Sequence, residues 1–288
     1  MLWTKGLDRN CWKWLSLSLV VFCLHATAGF AGDVTKYVRF RADQQMSYGV
    51  LETGTIHELT GDFYAHASRR SFDRSEVELL APTHPRHVFG VALNYRSHVG
   101  QREAEEDRIP ETLQLFHKSP SSVIGPNDEI VIPEGAENVH YESEMVVVIG
   151  KKAHDVSVEE ADDYILGVTC GNDVSARDWQ NQDKQWWRAK GADTFAPVGP
   201  YVVSGLNYDQ LDIEVRVNGT VKHRSNTSRM ARGVEKIVSF TSQYVTLEPG
   251  DLIFTGATGI TSEIEPGDVV EVEIEGVGVL RNKVVAGE

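Results

Sequence analysis

Cysteine is scarce in this sequence: 288 residues contain three, at positions 11, 23 and 170. None of them pair at the short spacing of a zinc-binding CxxC, and they cannot supply the dense disulfide framework of a small secreted scaffold. Basic residues are also few, with 28 Lys and Arg against 42 Asp and Glu, a formal charge of −14. A nucleic-acid groove needs a basic face, so this balance argues against such a partner. It leaves room for a small anionic substrate, because a few local cations and a metal ion reverse the field inside a pocket. Long hydrophobic runs are missing too. The apolar run at 14–24 falls short of the roughly 20 residues that span a bilayer. Internal repeats and low-complexity segments are absent, so solenoids and disordered tracts are not expected.

The apolar run has a different meaning. Lys5, Arg9 and Lys13 precede it, and small residues ending in Ala28-Gly29-Phe30-Ala31 follow it. Basic, then apolar, then small is the layout of a secretory signal peptide, here residues 1–31. Its removal takes away three basic residues and one acidic one and leaves −16. It also leaves Cys170 as the lone cysteine, expected as a buried structural thiol. The protein is therefore expected to be exported, periplasmic or secreted, with no membrane attachment after cleavage. An uncleaved anchor or a cytoplasmic protein are the alternatives.

From Tyr37 to about Leu80 the segments KYVRFRA, SYGVLE and TIHELT alternate with period two, with Gly49, Gly54 and Gly61 read as turns. They predict a small β domain over 32–85, closed by the proline-rich connector APTHP. A larger unit, 86–288, carries VFGVAL, EIVIP, EMVVVIG, YILGVTC, YVVS, IEVRVNGTVKH, DLIFTG and DVVEVEIEGVGVL, mostly strands by their Val and Ile content. Asn218-Gly219 predicts a type I′ hairpin. Helices are expected in VSVEEADDY, capped by Ser157, in SARDWQNQD and in VEKIVSFTSQY. The acidic stretch 100–111 has no apolar period and predicts a surface loop. The fold class is a β-rich α+β.

Chemistry is concentrated in a few places. In YESE, Glu142 and Glu144 lie two apart at the start of an apolar strand, so both project to one side, their Cα atoms about 6–7 Å apart. Two carboxylates that close repel unless a cation neutralises them. Asp173, following the apolar run YILGVTCGN, supplies a third acid. Oxygen ligands without His or Cys suit Mg²⁺, Mn²⁺ or Ca²⁺, although a bare ExE is also a common solvated face. Arg177 and Gln180 follow on a short helix; Arg177 is suited to gripping a substrate carboxylate or to a surface ion pair. Lys190, in the loop KGADTFAPVGP, is placed either to stabilise a developing enolate or simply to be solvated. His98, just past an apolar strand, is a candidate base for water or a structural histidine. Trp186-Trp187 either wall a pocket or pack.

Together the segments GVALNYRSH, YESEMVVVIGKKA, GVTCGNDVSARDWQ, KGADTFAPVGP, PGDLIFTG and PGDVVEVEIEGVGVLRN, in collinear order over residues 87–285, resemble the fumarylacetoacetate hydrolase family. The resemblance implies a β-roll-like catalytic domain, usually dimeric, preceded by a small β domain. It implies Mg²⁺ or Mn²⁺ held by Glu142, Glu144 and Asp173, substrate contacts from Arg177, Gln180 and Lys190, and a base at His98. A diketo acid would bind through its carboxylate and 2-keto oxygens, water activated by His98 would attack the distal carbonyl, and Lys190 would steady the departing enolate. Two departures matter. Hydrolytic members often pair that His with a Glu three residues on, where this chain has Gln101, leaving Glu103, Glu105 or Glu106 as substitutes. The usual TGTP loop reads Thr255-Gly256-Ala257-Thr258, so Thr258 stands in for the missing hydroxyl at 257.

The first functional reading is a metal-dependent hydrolase cleaving a C–C bond in an acylpyruvate- or fumarylacetoacetate-like diketo acid, giving pyruvate or a relative and a carboxylic acid. The second is a decarboxylase or keto–enol isomerase of a 2-keto acid such as oxaloacetate, favoured by the loss of a Glu at 101. The third is an exported metal-dependent binding protein, against which the combination of His98, Arg177, Gln180 and Lys190 argues. A homodimer acting on a small anionic keto acid is expected in either enzymatic case.

Overall fold

The structure is a computed structural model that describes residues 34–63, 67–96 and 109–287. The predicted signal peptide and His98 and Gln101, with Glu103, Glu105 and Glu106, lie outside the described residues.

The strand Ser143–Ile149 shows how the sequence builds the architecture. All seven of its residues are buried. Met145, Val147 and Ile149 belong to the principal core, while Val146 and Val148 belong to a second core on the opposite face. A strand covered on both faces reads as a continuous apolar run, which is what the sequence has here. It pairs antiparallel with Ile165–Asn172 on one side and with Leu252–Phe254 on the other. Leu252–Phe254 runs parallel to Val88–Ala92, which pairs with the edge strand Gln114–Lys118.

On the other flank Ile165–Asn172 pairs with Ala196–Ser204, and that strand pairs with Thr35–Ala42. The N-terminal strands Thr35–Ala42, Gln45–Glu52, Thr55–Leu59 and Ala67–Asp73 follow as a meander. With Glu78–Leu79 beside Thr35–Ala42 and Val123–Ile124 beside Ala196–Ser204, the described residues form one twelve-stranded sheet. The meander has its own small core of Val38, Phe40, Ile56, Val77 and Leu79. Gly49, read from sequence as a turn, instead sits within Gln45–Glu52, where a Cβ would lie 2.6 Å from the Ile56 side chain. Gly54 is the turn residue, at φ +89°.

A second sheet of five described strands has the order Thr220–Asn226, Asp212–Val217, Val269–Ile274, Gly278–Ala286, Glu129–Ile132. Its inward residues Ile213, Val215, Val272, Ile274 and Leu280 share the principal core with Met145, Val147 and Val168. The Asn218-Gly219 turn has both residues at positive φ, +53° and +75°, as a type I′ hairpin requires. Helix Val234–Tyr244 forms where predicted and buries Val234, Ile237 and Val238.

One predicted helix does not form. VSVEEADDY contains only a short 3-10 turn, Ala161–Tyr164, and Ser157 donates to the Glu160 carboxylate at 2.8 Å without capping a helix. The backbone here is engaged by helix Val234–Tyr244: Val156 N–H donates to Ser242 Oγ at 3.0 Å, and Ser239 Oγ donates to the Val156 carbonyl at 2.8 Å. Elements not read from sequence include the strand Ala67–Asp73, the edge strand Gln114–Lys118 and the short helix Trp187–Gly191. Among the described residues no helix is long and apolar enough to cross a membrane.

Candidate metal centre and active site

Two antiparallel strand ends bring the acids together. Ser143 and Glu144 pair with Asn172 and Gly171, so Glu142 and Asp173 meet where the ladder opens. Asp173 N–H donates to the Glu142 carbonyl at 2.9 Å, and Glu142 N–H donates to Asn172 Oδ1 at 3.0 Å. Glu142 and Glu144 project together, as period two dictates. Each of Glu142, Glu144 and Asp173 offers a carboxylate oxygen, and those oxygens lie within 4.8 Å of one another. All three residues are at most 3% exposed.

Three sealed carboxylates need cations. Lys190, on helix Trp187–Gly191, donates to Glu142 Oε2 at 2.5 Å and to Asp173 Oδ2 at 2.6 Å. Lys118, the last residue of the edge strand, donates to Asp173 Oδ1 and to the Lys190 carbonyl. Arg177 Nη2 donates to Glu142 Oε1 at 2.6 Å. Gly256 N–H donates to Glu144 Oε2 at 2.7 Å. Gly256 stands at φ +107°, and a Cβ there would lie 2.8 Å from Asn94 Cβ, so a side chain would push this N–H off its carboxylate. Asn94 fixes the same loop by donating to the Thr255 carbonyl at 2.8 Å.

Burial pushes the Glu144 carboxyl well above the ordinary range, and the neighbouring Asp173 and Glu142 charges push it further. Burial pushes Lys118 down, against the pull of Asp173. Burial acts on Lys190 in the same direction, but Asp173 and Glu142 overcome it and raise the ammonium. The Tyr95 phenol is raised, first by burial and then by the Glu144 charge. The Thr258 hydroxyl is buried with no hydrogen-bond partner among the described residues.

The donor set fits a hard divalent cation: all ligands are oxygens, they converge, and they are held by strand ends and not by mobile loops. Of the residues singled out from sequence, Glu142, Glu144, Asp173, Arg177 and Lys190 come together here. Gln180 joins through Arg177, whose Nη1 donates to Gln180 Oε1 at 2.8 Å. Trp186 packs edge-to-face on Phe116 with centroids 5.6 Å apart, whereas Trp187 is 69% exposed. Lys118 was missed. Its signal is faint, a lysine closing a short apolar stretch before Ser-Pro.

The family model described as fumarylacetoacetate (FAA) hydrolase C-terminal matches residues 87–285, and a second, described as Rv2993c-like, N-terminal, matches residues 35–82. The chain belongs to the fumarylacetoacetate hydrolase family. The family's fold extends over most of the molecule. A 5-carboxymethyl-2-hydroxymuconate delta-isomerase from Mycobacterium smegmatis superposes with a TM-score of 0.82 at 37% identity, covering 88% of this chain and 100% of that one. The mitochondrial oxaloacetate tautomerase Fahd2a of Rattus norvegicus is 41% identical over 224 residues, 74% of this chain and 71% of that protein. A maleylpyruvate hydrolase from Sphingobium sp. SYK-6, solved with manganese(II) and pyruvate, superposes with a TM-score of 0.72 at 25% identity, covering 88% of this chain and 100% of that one. This is a family of enzymes that includes hydrolases, isomerases and tautomerases.

Proposed function

We propose that this chain is a Mg²⁺- or Mn²⁺-dependent enzyme that interconverts keto and enol forms of a small dianionic 2-keto acid of the oxaloacetate type. The observation that carries the reading is the convergence of the buried Glu142, Glu144 and Asp173 beside the buried Lys118 and Lys190 and the half-buried Arg177. By formal charge the three acids and three bases cancel. A divalent ion in this pocket adds two positive charges, which a dicarboxylate neutralises. Glu142, Glu144 and Asp173 would hold the ion, which supplies a Lewis-acid charge that lowers the energy of an enolate.

The protein's own groups do the rest. Lys190 and Lys118 are preorganised ammonium donors, fixed by carboxylates on a rigid scaffold and placed to stabilise negative charge developing on a substrate oxygen. Thr258 offers a buried hydroxyl with no hydrogen-bond partner among the described residues, suited to a substrate oxygen. Tautomerisation needs a proton moved between carbon and oxygen but no attacking water. That requirement agrees with Gln101 in place of the Glu that hydrolytic relatives pair with the histidine, and with the 41% identity to an oxaloacetate tautomerase.

Hydrolysis of an acylpyruvate-like diketo acid, with His98 as the base, is the second reading. Similarity to a maleylpyruvate hydrolase solved with manganese and pyruvate favours it. The proposal includes a homodimer and export directed by residues 1–31; the mass and amino-terminal sequence of protein recovered from the native host test both.

The test is a panel of oxaloacetate and acylpyruvates with purified protein and Mn²⁺ or Mg²⁺, following enol absorbance together with pyruvate, carboxylic acid and carbon dioxide. Metal-dependent enol decay of oxaloacetate without loss of carbon supports the proposal. Release of pyruvate with a carboxylic acid replaces it with hydrolysis, and carbon dioxide replaces it with decarboxylation.

A further inference from the structure

The Arg177 guanidinium is held from three sides. Nη2 donates to Glu142 Oε1 at 2.6 Å and to Thr261 Oγ1 at 3.0 Å, while Nη1 donates to Gln180 Oε1 at 2.8 Å. Thr261 lies 2.9 Å from His140 Nδ1, and His140 Nε2 lies 2.8 Å from Asn138 Oδ1. The chain of donors has one consistent direction. The Asn138 oxygen only accepts, so His140 Nε2 carries the proton and donates. In a neutral ring protonated at Nε2, Nδ1 is an acceptor, so the Thr261 hydroxyl accepts from Arg177 and donates its own hydrogen to His140 Nδ1.

This bonding decides what Arg177 can do. Both two-pronged edges of a guanidinium use a hydrogen on Nη2, and both Nη2 hydrogens are committed, to Glu142 and Thr261. The bidentate grip on a substrate carboxylate considered from the sequence is therefore closed in this arrangement.

The supports come from separate parts of the chain. His140 sits on the two-residue strand Val139–His140, which pairs with Ser175–Ala176 just before Arg177, and bridges to Glu263 beyond Thr261. Arg177 N–H donates to the Asn138 carbonyl at 3.2 Å. Thus the segment leading into Glu142, the segment leading into Arg177 and the 255–263 loop are tied at one point.

We infer that Thr261 and His140 are a positioning pair that locks Arg177 onto Glu142, so that Arg177 serves the site as a fixed positive charge and not as a carboxylate fork. The inference rests on the metal site of the proposed function but not on the identity of the substrate. Arg177 stands one shell out from Glu142, where loss of a partner typically costs 10–100-fold in metal affinity or activity, and Thr261 and His140 act through it at the low end of that range.

The experiment compares Thr261→Val, which keeps the shape and drops the hydroxyl, with Thr261→Ser, and His140→Leu with His140→Asn, whose side-chain oxygen can accept near the Nδ1 position. Mn²⁺ affinity is measured by calorimetry, kcat and KM with oxaloacetate, and the His140 tautomer by ¹⁵N NMR on metal-free wild type and Thr261→Val. The expected result is an Nε2–H tautomer in wild type that is disturbed in Thr261→Val. Mn²⁺ affinity and kcat should fall about ten-fold in Thr261→Val and His140→Leu, recover in Thr261→Ser and His140→Asn, and leave KM nearly unchanged. A rise in KM alone would show a substrate fork and overturn the inference, as would an Nδ1–H tautomer in wild type or a Thr261→Val that binds Mn²⁺ like wild type. Mn²⁺ binding without turnover of oxaloacetate removes the functional reading and leaves the affinity series to judge the pair. If wild type binds no Mn²⁺, the proposed metal site falls and the inference with it.

Discussion

Lys118 donates to Asp173 in an ion pair whose side chains are 0% and 1% exposed. Removing one partner of such a pair costs about 3–5 kcal/mol where the other charge is left unpaired, and here Lys190 still answers Asp173 at 2.6 Å, so the lower end applies. Lys118→Met keeps the length and loses the charge. In EDTA the variant should lose about 3 kcal/mol of stability by urea unfolding. At saturating Mn²⁺ the deficit should shrink, because the ion supplies the charge that Asp173 has lost. An equal deficit in both conditions would show that Lys118 matters for packing alone.

Much of this site was legible in the sequence for physical reasons. Glu142 and Glu144 announce themselves because a strand has period two and because the apolar run after them has to be buried. Asp173 is legible because it ends another such run, and helix Val234–Tyr244 and the Asn218-Gly219 hairpin follow from local pattern alone. Lys118 was not legible, since what recruits it is the packing of the edge strand against helix Trp187–Gly191, a long-range event. The predicted helix near Ser157 failed for a related reason. Side chains of helix Val234–Tyr244 claim the backbone of Val156, and local propensity yields to tertiary hydrogen bonds. Arg177 was found, as were its partners Glu142 and Gln180, but Thr261 was not, since it lies 84 residues away.

Cys170 is fully buried and donates to the Gly278 carbonyl at 3.3 Å. Burial pushes its thiol up to about 12. Thiolates are the reactive form, so native protein at pH 8 should leave Cys170 unalkylated by iodoacetamide, and unfolded protein should label fully. Peptide mapping by mass spectrometry reads this site apart from Cys11 and Cys23. Rapid native labelling would show that the strand Ile165–Asn172 opens.

His140 gives a pH dependence with a definite sign. Burial and then the Arg177 charge push its pKa down from 6.5 to about 4, with Glu142 pulling the other way. The unfolded chain therefore takes up the proton first as pH falls. Stability from this group is full above the ordinary value, declines as pH drops toward about 4, and does not decline further below it. Urea midpoints of wild type and His140→Asn in EDTA should converge on acidification across that window. Parallel curves would show that His140 takes up its proton at the same pH in the folded and unfolded states.

Glu142→Gln and Glu144→Gln should separate in a way that identifies the metal site as the reason both acids are buried. Glu142 answers two cations, Lys190 at 2.5 Å and Arg177 at 2.6 Å. Its amide replacement leaves them under-compensated and should destabilise metal-free protein by about 2–3 kcal/mol. Glu144 has no ion pair within 4 Å among the described residues; its Oε2 accepts from the Gly256 N–H, and burial favours its protonated form. A glutamine mimics that neutral form and still accepts the bond, so Glu144→Gln should shift metal-free stability by under about 1 kcal/mol. Both substitutions remove a ligand charge, and both should weaken Mn²⁺ binding by on the order of a hundred-fold or more, at or beyond the upper end of the range for outer partners. Calorimetry and urea unfolding on the two variants decide it. If Glu144→Gln bound Mn²⁺ like wild type, Glu144 would not be a ligand, and the cation would be held by Glu142 and Asp173 alone.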